Sequence, residues 1–429
     1  MCFSVFMPSR PFNEQLYAQF WPISTETGAP GVFLNQCSGA KMAPTALLTH
    51  VKQPMLKRRS REIASEGVIK AQEWIGGQDK PVVESKILAF QNALNTCTSR
   101  QELDSVLAES IRPCSFRPFV NSNALLWGTI FDYQAGIGGG GARVRPEIKA
   151  VYDLPDTVGF SLAHAPKDLD ESLGQFTSFC WYFPDNDLSR RGNGHIYLNH
   201  YIRDVHTNAV INNIHQSLIE RYSALTGLDD SECAKKMVFY SYAVFCSQVY
   251  LEEFYGALFV VNQSESRARI PIVDDAGLFL RLAELGERLA ILEKNDAAVD
   301  NVLDFNYDEL LAQMWTGFHL EHSRAASRSP YDEENEQLIV RDEVTGNSIR
   351  IYCPVSLQKF TIAGYNVIKD CWLKFHSYRF THCDFTRDDL KELLDLFNKI
   401  ASQMGIVSEI DEIMHSIVGG EVALLNYND

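Results

Sequence analysis

Residues 176–183 read FTSFCWYF, and five of these eight side chains are aromatic. Two similar segments come before it, ALLWGTIFDY at 124–133 and DTVGFSLAHA at 156–165. Aromatic and β-branched residues are enriched in strands, and turn residues separate the three segments. We therefore predict a β-rich domain over residues 109–204.

Helical spacing of apolar residues dominates on both sides of this domain. On the N-terminal side, helices are predicted at about 45–72 (interrupted near Pro54), 81–95 and 99–108. On the C-terminal side, helical patterns cover 205–227, 237–259, 278–295 and 388–405, and one more short helix closes the chain. The exception there is 337–352, which predicts a β-hairpin around a Gly-Asn turn.

These patterns predict a mixed α+β fold in three parts. Residues 1–108 form a segment of strands and helices, residues 109–204 the β-rich domain, and residues 205–429 a mainly helical C-terminal domain with the hairpin inside it. A chain of 429 residues is long enough to bury a sizeable core.

The composition is that of an ordinary globular protein, with 45% hydrophobic and 22% charged residues. No apolar run approaches the roughly 18 residues that span a membrane, and the N-terminal MCFSVFMPSRPF lacks the early basic region of a signal peptide. The ten cysteines are scattered without a C-x-x-C pair, which argues against a disulfide framework and a structural zinc site. We expect a cytoplasmic protein that contacts no membrane.

The charge is unevenly distributed along the chain. The net charge of −16 argues against a phosphate-rich partner, because Lys and Arg drive nucleic-acid binding. However, residues 274–343 carry 17 acids and 6 bases, whereas residues 1–273 carry 27 acids and 25 bases. The acidity is concentrated in one region, which leaves room for a basic face elsewhere. The acidic region could dock a partner, although a solvated helical face is the commoner meaning of such a pattern.

A glycine run, Gly136-Ile-Gly-Gly-Gly-Gly141, is followed by Arg143-Val-Arg145-Pro146. A phosphate-binding loop needs a helix directly after its glycines, so that the first N–H groups point at the phosphate. Arg-Val-Arg-Pro stands there instead, and no G-K-[ST] follows. We predict no cofactor. The run is better explained as a surface loop in which Arg143 and Arg145 contact a DNA backbone.

Asp79, Glu84 and Lys86 have the sparse spacing of a metal-dependent nuclease, in which the acids hold Mg²⁺ and the lysine polarises water. In that arrangement the Glu-x-Lys pair lies on a strand, whereas VVESKILAFQNAL at 82–94 predicts a helix. A hidden nuclease therefore stays a minor alternative, which requires the three side chains to converge.

Other catalytic and metal-binding patterns are incomplete. His319 and His322 could lie close together on a helix, but no further ligand is evident, so we predict no metal site. The chain has no G-x-S-x-G nucleophile motif. It also has no Pro-Pro dipeptide, so the [DNS]-P-P-[YFW] loop of amino-methyltransferases is missing. We predict no catalytic residues.

Three stretches together resemble one family. The first is Ser115-Phe-Arg-Pro-Phe119 with the later Arg143-Val-Arg-Pro-Glu147, and the second is Arg269-Ile-Pro-Ile272 with LFLRLAELGERLAILE at 278–293. The third is GYNVIKDCWLKFHSYR at 364–379. In this order they are similar to the C-terminal target-recognition region of single-chain type ISP restriction–modification enzymes and related helicase–methyltransferase fusions. The resemblance covers about residues 100–380.

The resemblance implies recognition of a short duplex DNA sequence, while nuclease, helicase and methyltransferase domains of the large enzymes carry out the chemistry. Those domains and the catalytic proline loop are absent from this sequence. We therefore expect a non-catalytic specificity module of a restriction–modification or phage-defence system, served by a methyltransferase, helicase or nuclease partner subunit. Asn121, Ser122, the glycine run and Phe375-His-Ser-Tyr depart from the family pattern.

The candidate DNA contacts are basic or amide side chains, because these bind phosphates and base edges. We select Arg143, Arg145, Arg190, Arg191, Asn193, Lys57, Arg58, Arg59, Arg61, Lys374 and Arg379. Lys369, Lys374 and Arg379 recur every five residues, which spreads them around a helix and also fits a solvated face. The rival function is a protein-interaction subunit, either an adaptor or an inhibitor whose acidic surface mimics DNA. A negative face over the glycine loop and SRRGNG (189–194) would favour this rival.

Overall fold

The structure is a computed structural model that describes residues 12–25, 30–36, 39, 42, 45–75, 84–127, 157–163, 175–185, 188, 195–203, 207, 209–258, 268–294, 297–322 and 329–426. Its helices are Glu14–Tyr17, Thr45–Leu48, Gln53–Glu66, Val68–Ile75, Glu84–Leu94, Arg100–Ser110, Gln216–Thr226, Asp230–Cys246, Gln248–Leu258, Ala276–Leu292, Tyr307–Ala312, Val355–Gln358, Lys374–His376, Tyr378–Thr381 and Arg387–Val418, with a π-helix at Val367–Leu373. Its strands are Trp21–Pro22, Thr49–His50, Ile111–Arg117, Val120–Leu125, Gly159–Ala163, Thr177–Cys180, Phe183–Pro184, His195–Asn199, Tyr201–Arg203, Val210–Asn212, Arg269–Ile270, Tyr331–Asp332, Gln337–Arg341, Ser348–Tyr352, Thr361–Ile362 and Tyr365–Asn366. Within these ranges, no helix combines the length and the apolar character needed to cross a membrane.

Three long helices form the centre of the helical part. The central helix, Asp230–Cys246, is buried along most of its length and packs against the glycine helix, Ala276–Leu292. The two backbones come close at Gly286, where an added Cβ would lie 2.0 Å from the carbonyl oxygen of Phe239. The long helix, Arg387–Val418, packs against both of them.

The long helix begins at a capping box and continues further than predicted. The Thr386 hydroxyl accepts the Asp389 N–H at 3.2 Å, and the Asp389 carboxylate accepts the Thr386 N–H at 2.7 Å. The helix then runs through Gly405 to Val418, so the prediction of a separate final helix is wrong. A glycine inside a helix costs about 1 kcal/mol, and burial of the following apolar side chains offsets that cost. Those side chains are Ile406, Val407, Ile410, Met414 and Ile417.

The described strands between residues 111 and 199 belong to two sheets. In the first, the strand order is Thr49–His50, Val120–Leu125, Ile111–Arg117, Phe183–Pro184. In the second, Gly159–Ala163 lies between Thr177–Cys180 and His195–Asn199, and Phe160 pairs with Phe179. The strands predicted within 156–165 and 176–183 are therefore confirmed, and so is the mixed α+β class. In the remaining predicted segment, ALLWGTIFDY at 124–133, residues 128–133 lie outside the described residues.

The first described strand is tied to distant parts of the chain. Trp21–Pro22 pairs antiparallel with Arg269–Ile270, and the Trp21 indole N–H donates to the carbonyl oxygen of Leu425 at 3.1 Å. One cluster of buried hydrophobic residues includes Leu16, Phe160 and Ile417, one from each predicted part of the chain. The three-part domain division itself stays a prediction.

The hairpin predicted at 337–352 is confirmed, because Gln337–Arg341 pairs with Ser348–Tyr352 and Gly346 adopts the positive φ of +73° at the turn. The helix predicted from residue 205 is wrong at its start. Val210–Asn212 is a strand that pairs with Tyr201–Arg203, and the helix begins only at Gln216. Strand pairing satisfies backbone groups there and overrides the helical spacing of VHTNAVINN.

Candidate nucleic-acid interface

Two of the three family-like stretches meet around the buried guanidinium of Arg117. Its Nη1 donates to the Asp185 carboxylate at 3.0 Å, and both side chains are at least nine-tenths buried. The guanidinium carbon lies 4.1 Å from the ring centroid of Phe116, 5.7 Å from that of Tyr365 and 5.4 Å from that of Phe375. The cation thus joins SFRPF to both ends of the GYNV…WLKF stretch. We conclude that this motif arginine holds the fold together.

The second family-like stretch meets the hairpin formed by Ile111–Arg117 and Val120–Leu125 through its last residue, Glu293. The Asn121 side-chain amide donates to the Glu293 carbonyl oxygen at 3.0 Å. The buried Glu293 carboxylate accepts hydrogen bonds from the Tyr242 hydroxyl, the Ser178 hydroxyl (2.7 Å) and the Phe179 N–H (3.1 Å). Glu293 therefore connects the glycine helix, the central helix and the three-stranded sheet.

Burial raises the pKa of Glu293 to about 7, although its three hydrogen-bond donors act in the opposite direction. An unfolded glutamate has a pKa of about 4.3, so between pH 4.3 and 7 the folded protein binds a proton that the unfolded chain has lost. This contribution to stability is complete below the unfolded pKa and is lost as the pH rises through 7. Its magnitude is about 4 kcal/mol, because each pKa unit corresponds to about 1.4 kcal/mol.

We expect Glu293→Gln to flatten the dependence of stability on pH between 5 and 8. The amide keeps the size of the protonated carboxyl group but does not titrate, so the loss of stability toward pH 8 should shrink. Urea unfolding at several pH values measures this change. Glu284→Gln, at an exposed position of the glycine helix, is the matched control. If stability depends on pH as steeply in Glu293→Gln as in the unchanged protein, Glu293 is not the group responsible for that dependence.

The first and third family-like stretches, and the residue that follows the second, line one cleft of about 350 Å³. Phe119 comes from the first, Lys294 directly follows the second, and Trp372 belongs to the third. The opposite wall is the long helix, from Asp388 to Lys399. Sequence reasoning missed this cleft, because the stretches that form it are separated by more than 70 residues along the chain.

Five of the predicted DNA contacts, Arg143, Arg145, Arg190, Arg191 and Asn193, lie outside the described residues. The strands that follow them in sequence are described. Gly159–Ala163 and His195–Asn199 are antiparallel neighbours, and Ala163 pairs with His195. The chain therefore enters this pair of strands at opposite ends, which are about 13 Å apart.

The predicted basic cluster lies on the basic helix, Gln53–Glu66, but its members differ in exposure. Arg59 is 1% exposed, and its Nη2 donates to the carbonyl oxygens of Thr49 (2.7 Å) and Leu47 (3.4 Å). Burial lowers the pKa of Arg59 to about 9. A phosphate cannot reach this guanidinium in the folded protein, so Arg59 is better explained as a structural residue.

The other three cations of the basic helix remain accessible. Arg58 pairs with Glu62 at 2.7 Å, and Arg61 pairs with Asp104 at 2.5 Å. Lys57 is half-buried and makes no ion pair with any described residue. Exposed ion pairs contribute little to stability, so Arg58 and Arg61 can exchange their carboxylate for a phosphate at low cost.

Lys374 and Arg379 do not form a basic face. Lys374 is 8% exposed, and its ammonium lies 5.2 Å and 5.5 Å from the ring centroids of Phe375 and Phe380. Arg379 is half-exposed and pairs with Glu343 at 3.2 Å. The predicted DNA contact of Lys374 conflicts with its burial, because the aromatic rings cover the ammonium.

The minor catalytic alternatives gain no support. Glu84 and Lys86 lie in the helix Glu84–Leu94 and not on a strand, and Asp79 lies outside the described residues. His319 stacks on Tyr378 and its Nε2 lies 3.2 Å from Asp384, whereas the His322 ring stacks on Phe380. Within the described ranges, no group of three or more His, Cys, Asp or Glu side chains is placed to hold a metal ion.

Comparison with known proteins identifies a matching family and solved structures of similar fold. The family model of the Type ISP C-terminal specificity domain matches residues 32–399. The chain is similar to the ATP-dependent Type ISP restriction-modification enzyme LlaBIII bound to DNA, with 15% identity and a TM-score of 0.55 over 94% of this chain and 25% of that one. It is also similar to DrdV in the DrdV–DNA complex, with 14% identity and a TM-score of 0.51 over 96% of this chain and 39% of that one. No curated protein matches the chain. The chain thus spans well under half the length of these two solved relatives.

Proposed function

Because the chain belongs to the Type ISP C-terminal specificity domain family, we propose that it is a non-catalytic module that reads a specific sequence of duplex DNA. The module works within a restriction–modification or phage-defence system. A partner subunit supplies the methyltransferase, helicase or nuclease activity. The observation that carries this proposal is the family match over residues 32–399, which includes all three stretches that meet at Arg117, Glu293 and the cleft.

The proposed reading residues are Arg143 and Arg145 in one segment and Arg190, Arg191 and Asn193 in another. These two segments precede the described strands Gly159–Ala163 and His195–Asn199, which pair antiparallel. Arginine donates two parallel hydrogen bonds to guanine, whereas asparagine donates one hydrogen bond to the N7 of adenine and accepts one from its amino group. Lys57, Arg58 and Arg61 of the basic helix are proposed phosphate contacts, which fix the register of the module on DNA.

Selection from a random duplex-DNA library at two salt concentrations tests the proposal. We expect an enriched short motif whose binding weakens as salt increases, because phosphate contacts release counterions. Enrichment at neither salt concentration would contradict the proposal. That result would favour the protein-interaction subunit, for which the acidic residues 274–343 are the docking surface.

Replacing Arg143, Arg145, Arg190 and Arg191 together by alanine should weaken binding to the selected sequence by about 100-fold or more, because each bidentate base contact discriminates by about 1–3 kcal/mol. Fluorescence anisotropy with the selected and a scrambled duplex measures the change. The matched control is Arg221→Ala with Arg350→Ala, two exposed arginines that pair with Asp274 and Asp332. An equal loss in the control variant would count against a specific role of the four arginines.

A further inference from the structure

The cleft between the Phe119 turn and the long helix has an apolar floor and charged walls, to which Lys391 and Asp395 also contribute. The floor is formed by the buried side chains of Phe119, Trp372 and Leu396. Along the long helix, Asp388 lies at one end of the cleft and Lys399 at the other. The helical rise of about 1.5 Å per residue separates these two positions by about 16 Å.

Two ammonium groups, from Lys294 and Lys399, lie at the end of the cleft that Lys399 marks, one helical turn beyond Asp395. The Lys399 Nζ donates to the carbonyl oxygen of Lys294 at 2.5 Å, which brings the two lysines together. The Lys294 ammonium lies 3.8 Å from the ring centroid of Trp181. This cation–π contact holds the charge in place and leaves N–H groups to donate to an anion. The end therefore suits a phosphate group.

The carboxylates of Asp388 and Glu392 lie toward the other end, which Lys391 also lines. Asp388 is exposed and makes no ion pair with any described residue. Glu392 accepts from the indole N–H of Trp372 at 3.4 Å, and its carboxylate lies 3.4 Å from the His376 Nε2. An ionised carboxylate only accepts hydrogen bonds, so this end suits a group that offers N–H donors, such as the exocyclic amino group of a base.

Uncommon backbone conformations position the walls. Phe119 has a φ of +58°, a conformation that bulky side chains rarely adopt, and this turn directs its ring into the floor. Trp372 lies in the π-helix Val367–Leu373, a form that is rare and frequent at functional sites. Strain of this kind persists where the surrounding structure enforces it, and it clusters at binding sites.

We infer that this cleft binds one unpaired nucleotide, with its phosphate at Lys294 and Lys399 and the amino group of its base at Asp388 and Glu392. The base lies on the floor formed by Phe119 and Leu396. The volume of about 350 Å³ falls within the range of small-ligand sites, about 300–1,000 Å³. A free nucleotide and an unpaired nucleotide within a DNA strand share this chemistry. The site is separate from the loops proposed to read paired DNA.

Isothermal titration calorimetry of the full chain tests the inference with four probes. These are dAMP, dTMP, a duplex with one unpaired deoxyadenosine, and the same duplex fully paired. We expect dAMP to bind at least about tenfold more tightly than dTMP, because thymine lacks an exocyclic amino group. Tighter binding of the duplex with the unpaired base alone would support the inference and identify a DNA strand as the source. No preference in either pair of probes would overturn it.

Two substitutions test the proposed phosphate contact and the proposed base contact independently. Lys294→Met should weaken the binding of both dAMP and dTMP by about tenfold, because it removes a phosphate contact that does not depend on the base. Asp388→Ala should weaken only the adenine probe. Lys235→Ala, at a lysine of the central helix without an ion pair to any described residue, is the control. If both cleft variants bind like the unchanged protein, the cleft is not the site, whatever the duplex selection shows.

Discussion

Gly286→Ala should destabilise the protein by about 3 kcal/mol or more. A Cβ at this position would lie 2.0 Å from the carbonyl oxygen and 2.8 Å from the carbonyl carbon of Phe239. Both atoms belong to the backbone of the central helix, so no side-chain rotation relieves the overlap. The two helices would have to separate and lose packing, and overpacked cores of this kind cost about 1–3 kcal/mol or more.

Urea unfolding of Gly286→Ala beside Gly405→Ala checks this prediction. Gly405 is a solvent-exposed residue in the middle of the long helix, and nothing lies within 4 Å of a Cβ added there. Alanine is better than glycine in a helix by about 1 kcal/mol, so Gly405→Ala should stabilise the protein. Opposite shifts of the two midpoints are therefore expected. A Gly286→Ala midpoint equal to that of the unchanged protein would show that the helices tolerate a methyl group between them.

Arg117→Met should lower the free energy of unfolding by about 3–5 kcal/mol, because it leaves the Asp185 carboxylate buried without its cation. The arginine also contacts the rings of Phe116, Tyr365 and Phe375, and a methionine replaces only part of that contact. Arg112→Met is the matched control, since Arg112 lies in the same strand and is exposed.

A double variant separates the charge effect from the packing effect. In Arg117→Met with Asp185→Asn, the carboxylate is replaced by a neutral amide, so the buried negative charge is gone. We expect the double variant to be more stable than Arg117→Met alone by about 1 kcal/mol or more. If the loss of unfolding free energy in the double variant equals the sum of the losses in Arg117→Met and Asp185→Asn, the whole effect is due to packing. Equilibrium unfolding in urea measures all three variants.

The sequence was informative where local chemistry determines the structure. The Gly-Asn turn predicted the hairpin at 337–352 because Gly346 accepts a positive φ, and apolar spacing predicted the glycine helix. The predicted helix ended at Gly405, but the real helix continues to Val418. Its last turns are stabilised by buried apolar side chains whose partners are distant in the sequence. The strand at 210–212 was missed for the same reason, since its stability comes from pairing with residues 201–203.

The candidate site was less predictable than the fold. The run KRRSR at 57–61 reads as one basic cluster, yet Arg59 is inside the protein because the carbonyl oxygens of Leu47 and Thr49 receive its N–H groups. Nothing in the local pattern distinguishes this arginine from its neighbours. The cleft needed three-dimensional information, because neither the π-helix at 367–373 nor the strained Phe119 has a signature in the sequence.

The contacts of Trp21 set a condition on the order of events during synthesis. Its strand pairs with residues 269–270, and its indole bonds to a carbonyl 404 residues further along the chain. At about 5–20 residues per second, a ribosome needs roughly 12–50 s to reach the strand's partner at 269–270 and roughly 20–80 s to reach the indole's acceptor. The nascent chain therefore leaves the Trp21 strand unpaired until residue 270 and the Trp21 indole without its acceptor until residue 425. Chaperone occupancy of residues 12–25 on stalled ribosomes should persist until residue 425 has emerged.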